Sequence, residues 1–353
     1  MSNCSDDVLA FHNDEVSLPQ TQRTAMRDRR NANRDRLKDR LRSDGKLMPY
    51  AFVKQGSYAI LTMVQDPDND YDIDDGVYFT QASLKRKDGT EMSPTDVKQM
   101  VCTALQDDRF EKKPQVRRSC VRIFYQGGYH VDMPVYRIRT SDGQYELADD
   151  HGWTVSRAAD VEEWFNRENE KSPDTDNGRQ FRRMVRYLKK FARSRKEWKD
   201  QIASGFIITK LAADCYVANK DREDLALHYT MKKLYNRLCV SSQVYHPITP
   251  SVELTKGPSD STTQFLRDRL RQSLLDLAVL DSLTCTRQQA LAAWDKVFGT
   301  DYFSKRLNIV AARVASPTPN RAGAEALLRP TAVASGLTFP NRPVVPNKPA
   351  GFA

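Results

Sequence analysis

Cysteine is sparse and scattered: the six in 353 residues (Cys4, Cys102, Cys120, Cys215, Cys239, Cys285) include no C-x-x-C pair. They read as free thiols in a reducing cytoplasm, not as a disulfide framework or a zinc site. The five histidines are equally dispersed, which disfavours a histidine-based metal centre. No run of 18 apolar residues exists, so no membrane span is expected. The opening "MSNCSDDVLAFHNDEVSLPQ" lacks an apolar h-region and does not read as a secretory signal. No G-x-x-x-x-G-K-[ST] is present, which excludes P-loop hydrolysis.

Basic charge, by contrast, is in excess: the chain carries a net +9, with 39% apolar and 29% charged residues, a globular composition. Arg23–Arg42, "RTAMRDRRNANRDRLKDRLR", holds nine basic and three acidic residues. It reads either as a solvated helix face or as a surface for nucleotide or nucleic acid. Few aromatics interleave with its charges, so base stacking there is not supported. The pattern predicts one long helix over residues 20–43, stopped by Ser43-Asp44-Gly45. "GVYFTQASLK" and "SCVRIFYQGGYHVDMPVYRI" read as strands, with a hairpin turn at Gly127-Gly128. "SPTDVKQMVCTALQDD" reads as a capped helix, and from about residue 158 successive segments have helical spacing. Four segments follow: an N-terminal segment with the basic helix (1–45), a mixed-sheet core (46–157), a helical domain (158–314) and an extended Pro-rich tail (315–353).

"KQGSYAILTMVQDPDNDYDIDDGVYF" gathers acids beside a buried-looking strand. On a strand, Asp72 and Asp74 share one face, roughly 6–7 Å apart, and Asp75 points the other way. Like charges so placed are unfavourable unless a cation lies between them, and an all-oxygen donor set suits Mg²⁺. Asp132, in "YHVDMPVYRI", adds a carboxylate within a second apolar run. The plainer reading is that these acids end strands and face water. Gly56-Ser57 upstream makes the combination more specific: glycine lets backbone approach a triphosphate, and a hydroxyl with neighbouring N–H groups can cradle it. Two metal ions on three carboxylates can clamp an α-phosphate during in-line attack, which is nucleotidyl transfer.

G-S, then h-D-h-D-h, then a distal h-D-h resembles the polymerase-β-like nucleotidyltransferases. More narrowly, these blocks with "ADVEEWF" and "RRMVRYLKKFARSRKEW" are similar to the DncV-type bacterial cyclic GMP-AMP synthases among the cGAS/DncV-like (CD-NTase) enzymes of anti-phage systems. The similarity spans roughly residues 45–310 and departs from the family pattern at Ala59-Ile60 and in the hairpin before Asp132. It implies an α+β fold: a polymerase-β-like domain, a twisted mixed sheet with flanking helices, plus an α-helical lobe, with nucleotides between them. It implies a cytoplasmic bacterial enzyme joining ATP and GTP with two Mg²⁺ ions. Gly56 and Ser57 would hold the donor triphosphate. Asp72 and Asp74 would bind both metals, and Asp132 would serve the metal that activates the attacking hydroxyl. Arg122 and Ser204 would lie near the nucleotides, and Lys189 would contact phosphate. The basic helix would span both lobes on the outer side, which weighs against nucleic acid as a partner. A template-free RNA nucleotidyltransferase shares this chemistry and is the alternative. The tail would offer its C-terminus to a ubiquitin-transfer-like enzyme.

Overall fold

Residue periodicity sorts the chain into a sheet-centred half and a helical half, each with its own apolar core. The computed structural model describes residues 2–68, 71–126 and 128–307. The Pro-rich tail expected over 315–353, and with it the proposed C-terminal handle, lies outside the described residues.

Helix α1 (Ser5–Phe11) is followed by a π-helical turn over His12–Val16. Cys4, Val8, Phe11 and Val16 are buried in the helical core, where Phe11 meets the rings of Phe298 and Phe303. Helix α2 (Gln20–Ser43) matches the helix read from the charge-rich stretch. Its Met26, Leu37 and Leu41 are buried against the sheet core. The N-terminal 43 residues thus serve both halves: the short first helix was hidden by its polar composition, and its apolar side is Val8 and Phe11.

Among the described residues the sheet has eight strands. Strand β1 (Ala51–Gln55) leads into the single turn α3 (Gly56–Ala59), and β2 (Asp72–Thr80) returns antiparallel to β1. Helix α4 (Pro94–Ala104) starts on a Ser93/Asp96 capping box with proline in the first turn, a strong helix-start signal. Strands β3 (Gln115–Val116), β4 (Val121–Phe124) and β5 (His130–Met133) are joined antiparallel, giving the expected hairpin. Strands β5 and β6 (Val135–Ile138) both pair parallel with β2 in one continuous register. They are a single path interrupted at Pro134, whose carbonyl accepts from the Val77 N–H at 2.8 Å. Strands β7 (Tyr145–Asp149) and β8 (Gly152–Val155) extend the sheet antiparallel. Strand β2 is therefore central, with β1 on one side and β5–β6 on the other, and its Val77 and Phe79 are fully buried.

The helical half comprises α5 (Ala158–Glu170), α6 (Gln180–Ala192), α7 (Gly205–Cys215), α8 (Glu223–Val240), α9 (Ser261–Leu277) and α10 (Arg287–Phe298). Helix α6 is the hub: Phe181, Met184, Val185, Tyr187, Leu188 and Phe191 are all buried. The mixed sheet with flanking helices is the polymerase-β-like nucleotidyltransferase architecture.

Candidate active site

Strand pairing brings the acids together. Asp74 on β2 stands in register with Asp132 on β5, and Asp72 with His130. Gln55, the last residue of β1, is the partner of Asp74 on the other side. Three strands thus present Gly56-Ser57, Asp74 and Asp132 at one level of the sheet. Gly56 has φ +60°, and a Cβ there would sit 2.0 Å from Oδ2 of Asp74. Only glycine fits this close approach.

Asp74 is the electrostatic centre. Burial, then the charges of Asp72 and Asp132, push its carboxyl up to about 7, and Arg122 opposes the shift. Arg122 on β4 grips Asp132 with both arms of its fork, at 2.7 and 2.6 Å, and reaches Asp72 at 3.5 Å. The resemblance placed Arg122 beside the nucleotides; its contacts in the structure are to the acids. Cys120 is buried next to Asp132, and burial with that charge raises its thiol well above the ordinary range.

The resemblance calls for Mg²⁺. Among the described residues, no group of three acidic, histidine or cysteine side chains converges into a ready-made cage. The Arg122 guanidinium is bonded to Asp132 and lies within reach of Asp72. The donor chemistry still fits a hard cation: all oxygen, with the half-buried Asp74 carboxyl raised by desolvation and then by its like-charged neighbours. Asp72, Asp74 and Asp132 are the residues that would hold it.

Asp75 answers a separate need. It points to the opposite face, is fully buried, and accepts from Arg34 of α2, with Nε at 2.7 Å and Nη2 on the other oxygen. The basic helix is pinned to the sheet through this pair. Arg36 holds Asp107 at 2.9 Å, and Arg29 lies 4.1 Å from the Tyr129 ring centre.

A cleft of about 990 Å³ opens beside the acids. Gln55, Gly56, Ser57, Thr62, Asp72 and Asp74 line it from the sheet side, and Lys189, Arg193, Arg195, Lys196, Lys199 and Ser204 from the helical side. Asp132 and Arg122 are not among its lining residues. Ser204 caps α7, its hydroxyl accepting from the Ile207 N–H at 3.4 Å. Lys189 is buried, with Nζ 2.8 Å from the Thr62 hydroxyl. Burial, then Arg193 and Arg186, lower its ammonium to about 7. Acidic residues of the loop before β2 meet the same wall, Asp66 with Arg193 at 3.6 Å and Asp68 with Lys196 at 3.5 Å.

Sequence reasoning missed Gln55, Thr62, Tyr136 and the arginines of α6. The Gln55 amide donates to the Tyr78 hydroxyl at 2.7 Å and accepts from Tyr136 at 2.9 Å. Its one sequence signal was its place directly before Gly56-Ser57.

Asp74 against a glycine turn, Asp132 in register with it and a helical wall of cations across the cleft go with a nucleotidyltransferase, as the domain match also has it. Residues 50–136 match the family model of the cyclic GMP-AMP synthase DncV-like nucleotidyltransferase domain. The chain's fold is shared with Vibrio cholerae DncV bound to the linear intermediate 5′ pppA(3′,5′)pG: 16% identity, TM-score 0.65, covering 84% of this chain and 96% of that one. A double mutant of the same enzyme matches with 15% identity and TM-score 0.68, over 84% of this chain and 96% of that one. CdnC of Escherichia coli MS115-1, solved with ATP, matches with 16% identity and TM-score 0.62, over 84% of this chain and 98% of that one. No helix among the described residues is long and apolar enough to cross a membrane.

Proposed function

We propose that this chain makes a cyclic dinucleotide, cyclic GMP-AMP from ATP and GTP, as a second messenger in bacterial anti-phage defence. The observation that carries the reading is the register of Asp74 with Asp132 beside a glycine turn that packs on Asp74. The cleft volume lies at the upper end of the roughly 300–1,000 Å³ usual for ligand sites, in keeping with two substrates held at once. DncV is known in complex with a linear intermediate still bearing a triphosphate, and the same two-step order is proposed here.

In this scheme Gly56 and Ser57 hold the donor triphosphate, and the glycine lets phosphate oxygens come close to Asp74. The Mg²⁺ ions, when bound, neutralise phosphate charge and make the attacking hydroxyl more acidic. Asp132 orients that hydroxyl and accepts its proton. Arg122 fixes the Asp132 carboxylate, since a bidentate fork leaves it little rotational freedom. The cations of the helical wall draw the polyphosphates into the cleft. The attacking hydroxyl displaces pyrophosphate from the donor's α-phosphate to give the linear product, which then re-enters with its own triphosphate in the donor position; the second attack closes the ring and releases a second pyrophosphate.

A template-free RNA nucleotidyltransferase draws less support. The arginines of α2 that would bind RNA include Arg34, Arg36 and Arg29, which are engaged with the protein itself. Incubation with labelled nucleoside triphosphates and Mg²⁺, with and without RNA, tests the choice. A phosphatase-resistant small product without RNA supports the synthase; RNA extension supports the alternative.

A further inference from the structure

The sheet face that carries the acids continues past them. Asp74, Asp132 and Arg122 form one row across β2, β5 and β4, and Asp72, His130 and Phe124 form the next. Rows on one face lie roughly 6–7 Å apart, and neighbouring strands about 4.8 Å. Phe124 is half-buried, and its ring centre is 5.8 Å from that of His130. Two cations sit on Phe124: Lys112 Nζ lies 3.9 Å from the ring centre and the Arg117 guanidinium 6.0 Å. Neither is among the residues that line the cleft. Their basic neighbours are neutralised, Arg109 by Asp107 at 2.6 Å, Arg118 by Asp149 at 3.2 Å and Lys98 by Asp150 at 2.8 Å. Lys112 and Arg117 are exposed, and among the described residues they have no such carboxylate partner. The adjacent Glu111 accepts from Gln126 instead, at 3.4 Å. An aromatic ring attracts a cation through its quadrupole and leaves the charge intact. Phe124 therefore holds two unneutralised cations one row from the acids. The ring face under Lys112 is closed to a stacking base, so the group this arrangement can take is an anion.

We propose that Lys112 and Arg117, seated on Phe124, receive the 5′-triphosphate of the acceptor nucleotide while the first bond forms. This rests on the synthase reading above, in which Asp132 takes the proton of the acceptor's hydroxyl. The donor's triphosphate fills the Gly56-Ser57 turn in that step, so the acceptor's own triphosphate lodges elsewhere until the linear product turns over. His130 precedes Asp132 by two residues on the same face, and Phe124 pairs with His130 one strand further out. A nucleotide held by its hydroxyl at Asp132 can lay its phosphates along that row toward the two cations. Exposed cations hold a phosphate only weakly, which suits a group that leaves for the donor turn before the second bond.

The test uses the full chain, as wild type and as Lys112→Met combined with Arg117→Met. In the first arm the donor is 2′,3′-dideoxy-GTP, which has no ribose hydroxyl to attack with, and the acceptor is ATP or AMP with Mg²⁺; the same set is run with the bases exchanged. Linear product from wild type is expected with a KM for the triphosphate acceptor about tenfold below that for the monophosphate. In the double variant the two KM values converge, and the donor's KM is unchanged. Equal values in the wild type, or a preference kept in the variant, overturn the proposal. The second arm needs no turnover. Exposed lysines of the wild type are acetylated with and without saturating non-hydrolysable ATP and GTP analogues and Mg²⁺, and the modified residues are read by mass spectrometry. The analogues should protect Lys112 several-fold, adenosine with guanosine should not, and the adjacent Lys113 should keep its labelling. Labelling of Lys112 that the analogues leave unchanged overturns the proposal. Protection of Lys112 without any linear product keeps the phosphate site and counts against the synthase reading instead.

Discussion

A Cβ on Gly56 would lie 2.0 Å from Oδ2 of Asp74: the turn and the central carboxylate of the site occupy adjoining space with no room for a methyl group. Gly56→Ala must also adopt φ +60°. The expected cost is about 1–3 kcal/mol of stability. The larger effect falls on catalysis, about a hundredfold in kcat, since the turn is displaced from the acid. Melting and steady-state kinetics on the purified variant check both. Full activity in Gly56→Ala would show that the turn is not part of the site.

Arg122 holds Asp132 at 2.6 and 2.7 Å and reaches Asp72. Without a metal it is the cation that offsets the acids. Arg122→Met is expected to lose about 2 kcal/mol in metal-free buffer. This is less than a fully buried pair would cost, because its side chain keeps some exposure. Added Mg²⁺ should then raise Tm more in the variant than in the wild type. Equal Mg²⁺ responses would separate Arg122 from the metal-binding acids.

Asp74 carries a pH signature. Its folded carboxyl is raised from 3.8 to about 7, so the folded state holds a proton that the unfolded state has released. That contribution is fully present below pH 3.8 and is lost as pH rises through about 7, at about 1.4 kcal/mol per pH unit for one proton. Asp74→Asn removes the slope. Metal-free denaturation between pH 5 and 8 should show the variant gaining on the wild type as pH rises. Product synthesis by Asp72→Asn with Asp74→Asn is expected to vanish with the fold intact.

Lys189 has the opposite sign. Its ammonium is lowered from 10.5 to about 7, so between those values the unfolded chain binds more protons. The burial penalty is complete below about pH 7 and fades toward 10.5. Lys189→Met should therefore be more stable than the wild type at pH 6.5 in the absence of nucleotide, with the advantage shrinking by pH 9. A variant less stable at pH 6.5 would contradict the desolvation of this lysine.

The acids were legible in the sequence because alternation on a strand is a local rule: Asp72 and Asp74 share a face, and Asp75 goes to Arg34 on the other. The long helix was legible from composition and its stop signal. What could not be read was set by pairing between distant segments. The register of Asp74 with Asp132 depends on how β5 lies along β2. Thr62 sits 127 residues from Lys189 in a segment with no periodic signal. The grip of Arg122 on Asp132 likewise depends on how β4 pairs with β5. Strands β7 and β8 are short and half polar, and the polar composition of α1 hid its apolar side, where Phe11 meets Phe298 and Phe303.

The most direct measurement is mass spectrometry of the product formed by purified protein from an equimolar mixture of the four ribonucleoside triphosphates and Mg²⁺, without RNA. The expected result is a phosphatase-resistant cyclic dinucleotide, cyclic GMP-AMP, that is absent when Asp72 and Asp74 are both Asn. Recovery of unchanged nucleotides alone, product formation by the double variant, or polymer growth only when RNA is supplied would contradict the proposed synthase.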